Sequence, residues 1–128
     1  MVHQLLAEFM GTALMIIFGV GVHSDEVLKG SKYRGSGHLF AITTWGFGIT
    51  VALFIFGDVS INPAMVLAQC VLGNISWAMF IPYSVAEVLG GIVGAINCST
   101  LCTPTNSKLR EATSNPVAVR NIFSNSPG

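Results

Sequence analysis

Three apolar runs dominate the chain, at residues 5–22, 39–56 and 79–96. Each is about the minimum length for crossing the ~30 Å hydrocarbon core of a bilayer as a helix. The first is broken only by Glu8 and Thr12, and Glu87 is the only charge in the third. Charged residues make up 9% of the sequence. A soluble domain carries about a quarter, so water is a poor solvent for this surface. The expected fold class is an all-α membrane protein with three transmembrane helices, and its first partner is the lipid bilayer. A signal peptide explains residues 5–22 less well, because a positive n-region is lacking and Glu8 sits where the apolar stretch begins.

The same composition narrows the chemistry. Net charge is zero and there is no basic run, so nucleic acid is not an expected partner. Cys98 and Cys102 have the helical i,i+4 spacing of a metal pair, but Ser, Thr and Pro surround them and no His is near. They read as a chance pair, and Cys70 is isolated, so neither a metal nor another cofactor is expected. His3, His23 and His38 are scattered at span ends. The sequence offers no Gly-rich phosphate loop, no Ser/His/Asp set and no paired carboxylates in one polar cleft, and the protein is not expected to be an enzyme.

Between the second and third spans stands "GDVSINPAMVLAQC", residues 57–70. Asn62 is a favoured helix N-cap, and Pro63 suits the first helical position, where its missing N–H is no loss. A helix from 63 to about 73 would end at Gly73-Asn74 and measure roughly 15–16 Å, half a bilayer. One reading is a re-entrant half-helix that enters and leaves on one side. The other is an ordinary turn followed by an amphipathic surface helix. In the re-entrant case non-helical backbone at membrane depth must be satisfied by protein or must line a water-filled cavity. The carbonyls of residues 57–61 would then lead to the positive end of a half-helix, which disfavours cations.

Asn62-Pro63-Ala64 in this setting resembles the signature of the major intrinsic protein family, the aquaporins and glycerol facilitators. "AEFMGTALMIIFGVG" (7–21) is similar to that family's first helix, "TTWGFGITVAL" (43–53) to the second helix of glycerol facilitators, and "IPYSVAEVLGGIVGA" (81–95) to the third. The similarity is strongest to the glycerol facilitators of fermentative Gram-positive bacteria, some of which also pass undissociated lactic acid.

The resemblance implies one repeat of an inverted-repeat channel fold over residues 5–96, in a bacterial cytoplasmic membrane. Asn62 would donate its amide to a passing oxygen at the midplane, with Pro63 and Ala64 completing the signature and Gly57, Val59, Ser60 and Ile61 lining the route. Trp45 matches a filter aromatic, with an interfacial anchor as the other reading. Glu8 would tie down pore-loop backbone; snorkelling to the interface is its alternative. Glu87 falls where many members have Gln. An intramembrane carboxylate needs a partner or a proton, so both are expected to be buried structural groups. Ala86, Gly90 and Gly94 repeat at i+4 as a helix-packing stripe. Ser60 replaces the usual His, and Asp58, without a simple counterpart, either caps the loop or sits in water.

Only one repeat is present, and residues 97–128 read as a polar, flexible loop or tail. The expected function is passive passage of glycerol, water and other small uncharged solutes, with the chain truncated to a first half that needs a complementary half or a homo-oligomer. The alternative is a non-conducting fragment, or a packing partner of intact members through the Ala86/Gly90/Gly94 face. Lys29, Lys32, Arg34, Lys108, Arg110 and Arg120 all fall on one side of a three-span arrangement, which argues for a single orientation. The charge rule puts that side in the cytoplasm and the resemblance puts it outside; the family topology is the expectation.

Overall fold

The computed structural model describes residues 1–27, 32–101, 117 and 120. Among them are four α-helices and no strand: α1 (Val2–Val27), α2 (His38–Phe56), α3 (Pro63–Val71) and α4 (Phe80–Leu101), the last preceded by a 3-10 turn at Trp77–Met79. Three helices are long and apolar enough to cross a membrane. At 1.5 Å per residue α1, α2 and α4 span about 39, 29 and 33 Å, whereas α3 reaches only about 14 Å.

The long helices run past the apolar runs. α1 takes in His3 and Gln4 at one end and His23 to Glu26 at the other. α4 continues through Leu101, so residues 97–101 are helical rather than the start of a tail. Polar side chains survive there by bonding to their own helix. Asn97 donates to the Val93 carbonyl, Ser99 to Ala95 and Thr100 to Ile96, at 2.8–3.0 Å. Thr12, Ser24, Thr43, Thr44 and Thr50 bond to the carbonyl four residues back in the same way. Such back-bonding hides a hydroxyl from lipid at little cost. The remainder of the expected tail, Cys102 included, lies outside the described residues apart from Val117 and Arg120.

α3 starts and stops on local signals. Asn62 Oδ1 accepts the Ala64 N–H at 2.9 Å, and Pro63 occupies the first turn. At the far end the Gly73 N–H reaches the Cys70 carbonyl at 3.1 Å and the Asn74 N–H reaches Gln69 at 2.9 Å. Gly73 has φ 78°. This is a Schellman closure, which needs a residue tolerant of the left-handed region at that position.

α1 is the central helix, packed on α4 along one side and α2 along the other, while α3 lies on α4. Glycine permits the closest approaches. A Cβ on Gly90 would collide with the Phe9 carbonyl, and one on Gly94 would stand 2.5 Å from the Ala13 carbonyl oxygen. The Gly90 and Gly94 positions of the small-residue stripe are thus filled by α1 of the same chain; they do not form a free face for another molecule, as the packing-partner alternative required. Ala86 is half-buried. The large apolar side chains left outside, such as Phe54 at 90% and Leu39 at 75% exposed, suit contact with lipid or with further protein.

Candidate pore loop and half-helix

Residues 57–62 link α2 to α3 and hold no regular structure. Their N–H and carbonyl groups are treated differently. Glu8, 1% exposed, takes the N–H groups of the loop. Both of its oxygens lie 2.9 Å from the Ser60 nitrogen, and Oε2 is also 2.9 Å from that of Ile61. The carbonyls of Val59, Ser60 and Ile61 accept no hydrogen bond among the described residues. The Asp58 carbonyl takes the Gln4 amide at 3.4 Å. The Asn62 carbonyl is used by the Met65 and Val66 N–H groups.

Ile61 shows how firmly the loop is held. Its φ is 49°, a region that a β-branched residue occupies only under constraint. Two constraints are visible: the Glu8 bond to its N–H, and a buried cluster in which Ile61 and Val59 pack with Ala7 and Ala52. Gly11 leaves the room, since a Cβ there would lie 3.0 Å from Ile61 Cγ2. Asn62 follows at the N-terminus of α3 and is exposed. Its Oδ1 is occupied by the Ala64 N–H, so the Nδ2 amide is left as a donor without a partner among the described residues.

A cavity of about 570 Å³ opens beside the loop, lined among others by Glu8, Gly57, Asp58, Val59, Ser60 and Tyr83. The Asp58 side chain is exposed at this cavity. Of the expected route residues, Gly57, Val59 and Ser60 line it, while Ile61 is buried behind, and Asn62, Pro63 and Ala64 are not part of its wall. Trp45 is elsewhere. Its ring lies against Gly19 in the α1–α2 seam, and its Nε1 donates to His23 Nε2 at 3.0 Å. Gly19 and Glu8 are eleven residues apart on α1, which separates Trp45 from the loop by roughly 16 Å along that axis.

Sequence reading missed three features here. The left-handed Ile61 carries no compositional signal. The His23–Trp45 bond joins residues on different helices. Glu87, 1% exposed, lies beside the Glu8 carboxylate and the Asn62 backbone N–H, yet neither of its oxygens completes a hydrogen bond. The two carboxyls therefore do come together, in a buried helix seam rather than an open cleft.

Residues 1–125 match the family described as Major intrinsic protein. The chain belongs to the major intrinsic protein family. It is 70% identical over 127 residues to "Glycerol uptake facilitator protein 4" of Lactiplantibacillus plantarum, covering 99% of this chain and 53% of that protein. Identity to the "D/L-lactic acid transporter" of the same organism is 68%, with the same shares covered. The "Probable glycerol uptake facilitator protein" of Thermotoga maritima is 39% identical over 94 residues, 71% of this chain and 40% of that one. This major intrinsic protein thus spans about half the length of the curated relatives it matches. No solved structure matches it. With its three apolar helices it is a multi-pass membrane protein.

Proposed function

We propose that this chain supplies one half of a passive pore for small uncharged solutes bearing hydroxyls, glycerol and water first and undissociated lactic acid with them. The observation that carries the reading is the divided loop. Glu8 draws the N–H groups of Ser60 and Ile61 inward, which leaves three successive carbonyls, Val59 to Ile61, without donors and the Asn62 amide at their end. A hydroxyl can donate to each carbonyl in turn and then accept from Asn62 Nδ2. A cation meets the positive end of α3 at the same place and is disfavoured. Relatives whose names refer to glycerol and to lactic acid support this solute class.

The pore wall is completed by a complementary repeat, and Trp45 offers the apolar side of the route toward the other end of α1. The membrane is the bacterial cytoplasmic membrane, in keeping with bacterial relatives. A non-conducting membrane fragment is the competing reading. Stopped-flow light scattering of proteoliposomes containing this chain separates them, with Asn62→Asp measured alongside. Glycerol and water permeability above that of empty liposomes, and altered by Asn62→Asp, is the expected result. Inserted protein with no signal refutes conduction by the chain as given.

A further inference from the structure

Glu8 and Glu87 come from α1 and α4, whose seam includes the glycine contact of Gly90 on Phe9, next in sequence to Glu8 and one turn from Glu87. Both carboxyls are 1% exposed. No Lys, Arg or His pairs with either among the described residues. Their situations differ. A carboxylate accepts at about four lone-pair sites. Glu8 uses both sites of Oε2 and one of Oε1 on the Ser60 and Ile61 N–H groups. One acceptor site on Oε1 stays open. Glu87 stands beside it with two unpartnered oxygens and the Asn62 N–H within its reach.

Two bare negative charges in contact, each 1% exposed and without a cation among the described residues, repel each other with little solvation to offset it. One proton resolves every open valence. Placed on Glu87, it supplies the donor that the free site of Glu8 lacks, and the second Glu87 oxygen is left to accept from Asn62. We propose that Glu8 and Glu87 hold a single proton between them, and that this makes Glu87 a positioning residue for Asn62. The pair then grips three successive backbone N–H groups, Glu8 those of Ser60 and Ile61, Glu87 that of Asn62. Its role deepens the pore reading above and rests on it only for the meaning of Asn62.

Among the described residues the titratable groups around Glu87 are few: Glu8 from α1, Tyr83 one turn earlier on α4, and Asp58, exposed at the cavity that Glu8 and Tyr83 also line. All three are acids, so losing the shared proton adds charge that none of these groups balances. Raised pH is expected to change the surroundings of the Asn62 N–H.

The test reads the proton and the loop separately, with the full chain in lipid nanodiscs. Infrared spectra at neutral pH should contain a protonated-carboxyl C=O band that Glu87→Gln removes. Glu8→Gln should remove it too, because an amide donor at position 8 lets Glu87 ionise. A band that is absent from the unsubstituted chain, or that survives both substitutions, overturns the shared proton. In 15N-labelled protein the Asn62 amide resonance should move as pH rises and stay fixed in Glu87→Gln, whose amide both donates and accepts without titrating. An Asn62 resonance that is pH-independent in the unsubstituted chain, or that moves equally in both proteins, overturns the positioning role. Neither spectrum requires transport, so a chain that does not conduct counts against the pore reading while the spectra decide this one.

Discussion

Replacing Glu8 by Ala should release the loop while leaving the three long helices folded. The carboxylate holds the N–H groups of Ser60 and Ile61 at 2.9 Å in a site 1% exposed. Hydrogen bonds to a charged acceptor contribute about 1.5–3 kcal/mol each, so the pair contributes roughly 3–6 kcal/mol to the local structure. Against that, Ile61 leaves its φ of 49°, and relaxing such a residue returns about 1–3 kcal/mol. The local opening free energy should fall by about 2–4 kcal/mol, or roughly 30- to 1000-fold in an opening equilibrium at 1.36 kcal/mol per factor of ten. Amide hydrogen exchange of Ser60 and Ile61 in nanodiscs reads this directly, since the neighbouring cavity gives water a route. Ala52, buried in mid-α2, is the internal control. Glu8→Gln keeps one acceptor oxygen and loses the other together with the charge, so about tenfold faster exchange is expected. Exchange at Ser60 and Ile61 within twofold of the unsubstituted chain in Glu8→Ala would refute the account of the loop.

Three further substitutions test other parts of the structure. Gly90→Ala should weaken α1–α4 packing by roughly 1–3 kcal/mol as an overpacked contact against backbone, whereas Gly91→Ala, whose Cβ has nothing nearer than 4.0 Å, should be close to neutral; denaturant titration in mixed micelles compares them. Asn62→Ala removes the cap on Ala64 and should cost about 1 kcal/mol at the start of α3, seen as faster exchange of the Ala64 amide, together with loss of any solute permeability. His23→Leu deprives Trp45 Nε1 of its acceptor, and in a Trp77→Phe background the Trp45 emission maximum should shift; an unchanged spectrum would mean that the bond does not fix the ring.

The membrane made the architecture easy to read. Lipid offers no partner for a backbone N–H or carbonyl, so a long apolar run has little choice but helix, and the runs at 5–22, 39–56 and 79–96 correspond to α1, α2 and α4. α3 was legible for a local reason, since its ends are written in Asn62, Pro63 and Gly73. What escaped was whatever depended on two helices at once. Nothing about Glu8 or Glu87 alone announces that they touch, because their encounter is set by the glycine contacts of α4 on α1. His23 and Trp45 are likewise unremarkable until α1 and α2 pack. The helix ends were misjudged because hydropathy does not limit a helix whose polar side chains bond to its own carbonyls, as Asn97, Ser99 and Thr100 do.

The strained Ile61 and the buried Glu8 have one explanation between them. On the proposed pore reading this irregular segment lines a solute route, where exposed N–H groups would compete for the oxygen that Asn62 would hold. Ile61, with φ 49°, is out of the extended region, and its torsions turn its own N–H relative to that of Asn62. That conformation persists only if something accepts the displaced N–H groups. A neutral side chain could serve, but a carboxylate takes both Ser60 and Ile61 with a single group and binds each more strongly. Its charge then creates the need that Glu87 meets from α4. On that reading the unpartnered carbonyls of the loop, the unusual backbone at Ile61 and the meeting of two acids in a buried seam are successive consequences of presenting acceptors before Asn62.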